Sequence, residues 1–204
     1  MLSNLLLLWL AAFPLMGSPG PATLSLASLG ATYGFRASFR YLGGIIAGTT
    51  AVLLIIATGV TAVLAADPVV LTVLQIAAAA YIVYLAWKIG TARFGDLAAQ
   101  VEGGQKMALV SFVAGFGLAI ANPKAFAAIG AVYSGHVIFA GNPALDAAAK
   151  VAALTLVIAI VNTAWLAFGA SFARYLTNPA IGRPVSIAFA LLLIASVGLA
   201  MAGG

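Results

Sequence analysis

The sequence has 204 residues, of which 64% are hydrophobic, and its nine Lys or Arg and four Asp or Glu make up 6% of the chain and give a net charge of +5. Thirteen charged residues are too few to cover the surface of a soluble protein of this size. The composition therefore excludes a soluble fold and predicts an all-α integral membrane protein. The chain has no Cys and one His, which excludes disulfides and thiolate or His-cluster metal sites. We therefore expect no metal and no cofactor.

Uncharged runs long enough to cross a bilayer divide the chain into six predicted transmembrane helices. A span needs about 20 apolar residues, and the runs in chain order are 1–35, 41–66, 68–87, 107–145 (interrupted by Lys124), 151–173 and 184–204. No basic segment precedes the first run, which favours a true span over a cleaved signal peptide. The polar stretch 92–106 is predicted to be a loop, and Gly141-Asn142-Pro143 a turn.

The basic residues orient these helices. With six spans, the loops on one side hold seven Lys or Arg and the other side holds only Lys150, whereas seven spans would give six against three. The positive-inside rule therefore predicts six spans, with both termini outside and the basic loops in the cytoplasm. The net charge thus reflects membrane orientation, and no nucleic-acid partner is expected. All four acidic residues are assigned to loops: Asp67, Asp96, Glu102 and Asp146.

Two proline-rich breaks lie inside the first and fourth predicted spans. The first is Ser18-Pro19-Gly20-Pro21 and the second is Asn122-Pro123-Lys124, each near the middle of its run. Proline removes a backbone donor and cannot continue a regular helix. Pro21 and Pro123 are 102 positions apart, which is half the chain, and Gly30-Ala31-Thr32-Tyr33 is echoed weakly by Gly130-Ala131-Val132-Tyr133.

The matched breaks predict two repeats of three helices within one transmembrane transport domain, 1–204. Repeat 1 covers about 1–91, the cytoplasmic loop about 92–106 and repeat 2 about 107–204. Because three is an odd number, the second repeat has inverted topology. Paired interrupted spans point to a transporter's binding site, since a broken helix frees backbone groups that must face protein, water or ligand. Ordinary proline kinks are the alternative interpretation.

Lys124 is the one charged side chain placed at mid-membrane, where it costs roughly 2.5–3.5 kcal/mol on insertion scales. Such a residue usually faces a cavity and marks a pathway; snorkelling to the interface is the alternative. Here it is suited to holding a substrate carboxylate or exchanging a proton. Several uncharged polar residues could line the same pathway or simply hydrogen-bond between helices: Ser18, Thr23, Gln75, Asn122 and Asn162.

On these residues the chain resembles the LysE/RhtB family of bacterial amino-acid exporters. The matching elements are Ser18-Pro19-Gly20-Pro21-Ala22-Thr23, Asn122-Pro123-Lys124-Ala125 and the third-span segment 75–88. The resemblance covers nearly the whole chain and implies proton-driven export of amino acids or related metabolites across the bacterial cytoplasmic membrane. Where many members carry an acid early in the second span, this chain has Thr49, and it has Ala22 where Asn is usual. We therefore expect a neutral amino acid or another small carboxylate as substrate.

Two other function classes stay open at this point. A cation or metal exporter would need hard-oxygen or Cys ligands at mid-membrane, and an intramembrane enzyme would need a nucleophile with a base or paired acids. Neither set is evident, so the chain is not expected to be an enzyme. Small-residue faces, such as the one with Gly43, Gly44 and Gly48, would permit a homodimer in the lipid.

Overall fold

The computed structural model describes residues 2–59 and 110–176, with side chains to Ser171, and nine further helical positions: Ile76, Ala80, Val83, Trp87, Pro184, Ile187, Ala188, Leu191 and Ile194. Within the two continuous ranges, all regular structure is helical. Six helices are present: α1 (Leu2–Gly17), α2 (Pro21–Tyr33), α3 (Phe35–Ala57), α4 (Phe112–Ile120), α5 (Pro123–Gly135) and α6 (Pro143–Leu176). The loop 92–106, the loop residue Asp67 and Gln75 lie outside the described residues.

Helices α1 and α2 meet at the first proline-rich break. The axis turns by 63° between them. Pro21 is the first residue of α2, where its fixed φ suits a helix start and its missing N–H has no intrahelical role. Eleven of the thirteen residues of α2 are buried, so this helix is enclosed on all sides by the rest of the protein. In contrast, α1 exposes large apolar side chains, which is typical of a lipid-facing surface.

Helices α4 and α5 meet at the second break in the same way. Their axes differ by 62°, and α5 also begins with a proline, Pro123, and has 13 residues like α2. Ser111 caps α4 by accepting a hydrogen bond from the Ala114 N–H at 3.1 Å. Among the described residues, α3 and α6 are each long and apolar enough to cross a membrane alone, and counting each bent pair as one span raises the number to four.

The structure corrects several helix boundaries drawn from charge. Helix α3 begins at Phe35, so the exposed Arg36 and Arg40 belong to its first turns rather than to a loop before residue 41. Helix α5 ends at Gly135, ten residues before the end of the uncharged run at 145. The predicted turn at Gly141–Pro143 is confirmed, because α6 begins at Pro143 after a turn.

The placement of Asp146 and Lys150 in a loop was wrong. Both lie in the first two turns of α6, and both are buried, 8% and 7% exposed. Their side chains form an ion pair at 2.9 Å, and Asp146 Oδ1 also accepts the N–H groups of Ile138 at 2.6 Å and Phe139 at 2.9 Å. Because this ion pair and these two hydrogen bonds compensate its negative charge, the Asp146 carboxylate can be buried in the protein.

Glycines set two close helix contacts. In the α2–α6 contact, a methyl group on Gly30 would lie 2.5 Å from the carbonyl oxygen of Leu166, and one on Gly169 would overlap the Ala27 carbonyl. In the α3–α4 contact, Gly44 and Gly115 face backbone in the same way. These contacts hold α2 and α3 against the second half of the chain, which brings the two breaks together.

Candidate functional site

A small cavity lies between the two breaks and the middle of α3 and α6. The centre of a water molecule can move within about 40 Å³ of this cavity, so the cavity has room for two or three waters. Its polar wall is formed by Gly20 and Thr23 of the first break, Asn122 and Lys124 of the second, and Thr49 of α3 and Asn162 of α6. Thr23, Thr49, Asn122 and Asn162 are all buried. Four helices that are distant in sequence therefore contribute polar groups to one space.

The first break leaves carbonyl groups at the end of α1 without helical partners, and donors from elsewhere in the protein bond them. The Trp165 indole Nε1–H donates to the Gly17 carbonyl at 3.0 Å. The Lys124 ammonium donates to the carbonyls of Ser18 and Pro19, the latter at 3.3 Å. These carbonyls lie at the partially negative end of α1, where a cation is favoured.

The second break supplies the lysine. Asn122 ends the extended link after α4 and caps α5, its side-chain oxygen accepting the Lys124 N–H at 3.2 Å. The cap fixes the start of α5, so the half-buried Lys124 side chain extends from the first turn of α5 to the first break. Gly20 lies directly beside this side chain, and a Cβ there would be 2.6 Å from Lys124 Cδ. Glycine at position 20 therefore gives the lysine its path.

The start of α2 also faces the cavity. The Gly20 N–H donates to Thr23 Oγ1 at 2.9 Å, and Pro21 has no N–H. The N–H groups of Ala22 and Thr23 have no acceptor within the helix, because they belong to its first turn. Both residues line the cavity. The partially positive end of α2 and the Lys124 ammonium are thus available to an anionic group in the same space.

Six of the predicted site residues line the cavity: Gly20, Thr23, Thr49, Asn122, Lys124 and Asn162. Ser18 and Pro19 do not line the cavity, but their carbonyls accept hydrogen bonds from Lys124. Pro21 and Pro123 begin the two half-helices α2 and α5. Gln75 lies outside the described residues. Asn162 also donates to the Ile158 carbonyl of its own helix at 2.8 Å, which leaves its side-chain oxygen as an acceptor.

Sequence reasoning missed the apolar wall of the cavity. That wall consists of Met16, Ala22, Ala125, Ala128, Ile129, Ile158 and Val161. Three of these residues could have been found from helical spacing: Ile158 precedes Asn162 by four positions, Ala125 follows Asn122 by three and Ala128 follows Lys124 by four. The wall is a surface on which a short apolar side chain can pack.

The described residues that line the cavity include one cation and no carboxylate. Across the described residues, no group of three or more His, Asp or Glu side chains is placed to hold a metal ion. The arrangement is suited to a small molecule that carries its own negative charge, since Lys124 and the α2 terminus both favour an anion.

Together, the apolar spanning helices and a polar cavity at two helix breaks define a membrane transport protein. The family model for "LysE type translocator" matches residues 13–202. Curated relatives include the "Cysteine/O-acetylserine efflux protein" of Escherichia coli O139:H28, 34% identical over 182 residues, and that of Escherichia coli K12, 33% identical over 182 residues. Each alignment covers 87% of both chains. No solved structure gives a significant match.

The chain belongs to the LysE type translocator family. The predicted family resemblance is thereby confirmed, and with it an amino-acid exporter of the membrane. This family consists of translocators rather than enzymes, and its substrates are small molecules.

Proposed function

We propose that the protein is a secondary active exporter of a small neutral amino acid or a closely related carboxylate, with its binding site in the cavity between the two breaks. The observation that carries the proposal is the meeting of Lys124 with the Ser18 and Pro19 carbonyls at that cavity. A lysine with no carboxylate partner in its cavity is a recognition group for an anion. The substrate carboxylate would bind Lys124 and the N–H groups at the start of α2.

The small volume of the cavity and its uncharged groups opposite Lys124 limit which substrates can bind. The small volume and the apolar wall favour a short, uncharged side chain over a long or cationic one. Thr49 and Asn162 offer hydrogen bonds without charge, so a second ammonium group on the substrate would have no carboxylate to meet. Cysteine and O-acetylserine, which the relatives' names state as their cargo, have short side chains without charge and are the candidates proposed for this chain. Both are larger than two or three waters, so the cavity would have to widen during the transport cycle to hold them.

The transport cycle proposed here is alternating access in a six-span protein of two inverted repeats, within the bacterial cytoplasmic membrane and with both termini outside. Supporting this arrangement, the two breaks have nearly equal bends of 63° and 62°, and proline begins a 13-residue half-helix after each. Protons are the proposed coupling ion, because Lys124 is a titratable side chain and lines the cavity. A homodimer in the lipid is compatible with the exposed apolar surface of α1.

Transport by the purified protein tests this proposal. Proteoliposomes loaded with radiolabelled L-cysteine or O-acetyl-L-serine should release it faster when a proton gradient is imposed, and a protonophore should remove the acceleration. L-lysine should not be released. The proposed function would be contradicted if the proteoliposomes released every small neutral amino acid tried no faster than loaded liposomes without protein, with or without the gradient.

A further inference from the structure

The group that now binds the Ser18 and Pro19 carbonyls is an alkylammonium, the Lys124 side chain. An amino-acid substrate carries an ammonium group of the same chemistry on its α-carbon. The carbonyls at the end of α1 are therefore already arranged for the positive group of such a substrate. The negative end of the α1 dipole favours a cation there whichever molecule supplies it.

Other acceptors in the cavity are less suited to an ammonium group. No carboxylate from the described part of the chain lines the cavity, and the Asn122 side-chain oxygen already accepts the Lys124 N–H. Thr23 Oγ1 accepts the Gly20 N–H at 2.9 Å. Asn162 offers one neutral oxygen from the opposite wall, whereas the first break offers two carbonyls that converge on one cation. Among the described residues that face the cavity, the paired carbonyls are thus the strongest site for a cation.

We infer that the carbonyls of Ser18 and Pro19 form the binding site for the substrate's α-ammonium group, and that Lys124 occupies this site as an internal substitute when no substrate is bound. This inference rests on the proposed function. When a zwitterionic amino acid enters, its ammonium group replaces that of Lys124 on the two carbonyls. Lys124 then moves to the substrate carboxylate beside the start of α2.

The exchange explains why both groups of the substrate are needed for tight binding. An amine without a carboxylate displaces Lys124 but offers it no new partner. A carboxylic acid without an amine attracts Lys124 but leaves the two carbonyls without an ammonium donor, and the Ser18 carbonyl then keeps only the Thr23 hydroxyl at 3.4 Å. Each loss costs hydrogen bonds to a charged group. Only the zwitterion satisfies both breaks at once.

Removing the internal substitute gives the sharpest test. Binding of three probes is measured by calorimetry under reducing conditions: L-cysteine, its decarboxylated analogue cysteamine and its deaminated analogue 3-mercaptopropionate. In Lys124→Met, the affinity for cysteamine should rise about tenfold, because the carbonyls are vacant, and the affinities for L-cysteine and 3-mercaptopropionate should fall about tenfold or more. Unchanged or weaker cysteamine binding in folded Lys124→Met would overturn the inference.

A second variant retains the lysine. In Gly20→Ala, the added methyl group would lie 2.6 Å from Lys124 Cδ and 3.0 Å from Nζ, so it forces the ammonium away from the carbonyls. Its affinity for cysteamine should also rise, and this result decides the matter if Lys124→Met does not fold. Ser134→Ala, on the exposed part of α5, should leave all three affinities at their native values.

The same data separate this inference from the proposed function. If the native protein binds and exports L-cysteine but neither variant gains cysteamine affinity, the ammonium site is wrong and the exporter stands. If the native protein neither binds nor exports small neutral amino acids while the variants gain cysteamine affinity, the cation site stands and the proposed substrate is wrong.

Discussion

The buried Lys150 and the half-buried Lys124 differ in how the protein compensates their charge. Lys150 donates to the carbonyls of Tyr133 at 3.0 Å and His136 at 3.1 Å, pairs with Asp146 at 2.9 Å and lies 4.2 Å from the centre of the Tyr133 ring. Lys124 also donates to two backbone carbonyls and lines a cavity, but no carboxylate of the described residues pairs with it.

This difference indicates a structural role for Lys150 and a role in transport for Lys124. The charge of Lys150 is compensated within the protein, so this residue closes the end of α5 against the start of α6. Among the described residues, only carbonyl dipoles balance the charge of Lys124, so an anion that enters the cavity meets a cation without a carboxylate partner. The comparison predicts that replacing Lys150 affects stability and that replacing Lys124 affects transport.

The largest effect on stability is expected for Lys150→Met. This variant leaves the buried Asp146 carboxylate without its cation, and breaking such a pair typically costs about 3–5 kcal/mol. Unfolding in detergent should show this loss, while transport per folded molecule stays close to native. Adding Asp146→Asn to Lys150→Met should recover part of the stability, because the unpaired charge is gone. A stable Lys150→Met protein without transport would reverse the roles of the two lysines.

The largest effect on transport is expected for Lys124→Ala. Loss of the proposed carboxylate partner should reduce efflux from proteoliposomes by about a hundredfold, the scale of one or two charge-assisted hydrogen bonds. Thermal unfolding should change far less than in Lys150→Met. Native efflux from the variant would contradict the role proposed for Lys124.

A smaller effect compares the two half-helices at positions 30 and 130. Gly30→Ala places a methyl group against the Leu166 carbonyl and should destabilise the protein by about 1–3 kcal/mol. Gly130→Ala meets no atom within 4 Å and should be neutral, or stabilising by up to about 1 kcal/mol through helix propensity. Detergent unfolding of both variants measures the difference. Equal destabilisation would show that the two half-helices are packed alike.

The smallest effect is expected at the cap of α5. Asn122→Ala removes the acceptor of the Lys124 N–H and should cost about 1 kcal/mol of stability. Because the cap also positions Lys124, efflux should fall severalfold. Asn122→Asp can restore the cap but adds a negative charge beside Lys124, so its stability should recover while its efflux stays low.

The sequence was sufficient to find the two breaks and most of the polar groups around the cavity. Prolines inside long apolar runs and a lone lysine between them are local signals, and the structure brings Gly20, Thr23, Asn122 and Lys124 to one space. Thr49 and Asn162 belong to other apolar runs of the sequence, and both also line the cavity. Whether these residues bind substrate stays a prediction.

The parts that sequence reasoning missed depend on tertiary contacts. Charges were taken to mark the ends of helices, but Asp146 and Lys150 enter α6 because each satisfies the other and nearby backbone groups. Their spacing of four residues was the available signal. The donor to the Gly17 carbonyl, Trp165, is 148 positions away and gave no local sign.

The most direct test of the central claim uses the absence of native cysteines. A single cysteine is placed at the cavity in Thr49→Cys and, as a control, at an exposed position of α5 in Ser134→Cys. Both are labelled with a maleimide in the presence and absence of O-acetyl-L-serine. We predict that the ligand slows labelling of Thr49→Cys severalfold and leaves Ser134→Cys unaffected; equal labelling of Thr49→Cys with and without ligand would contradict a substrate site between the two breaks.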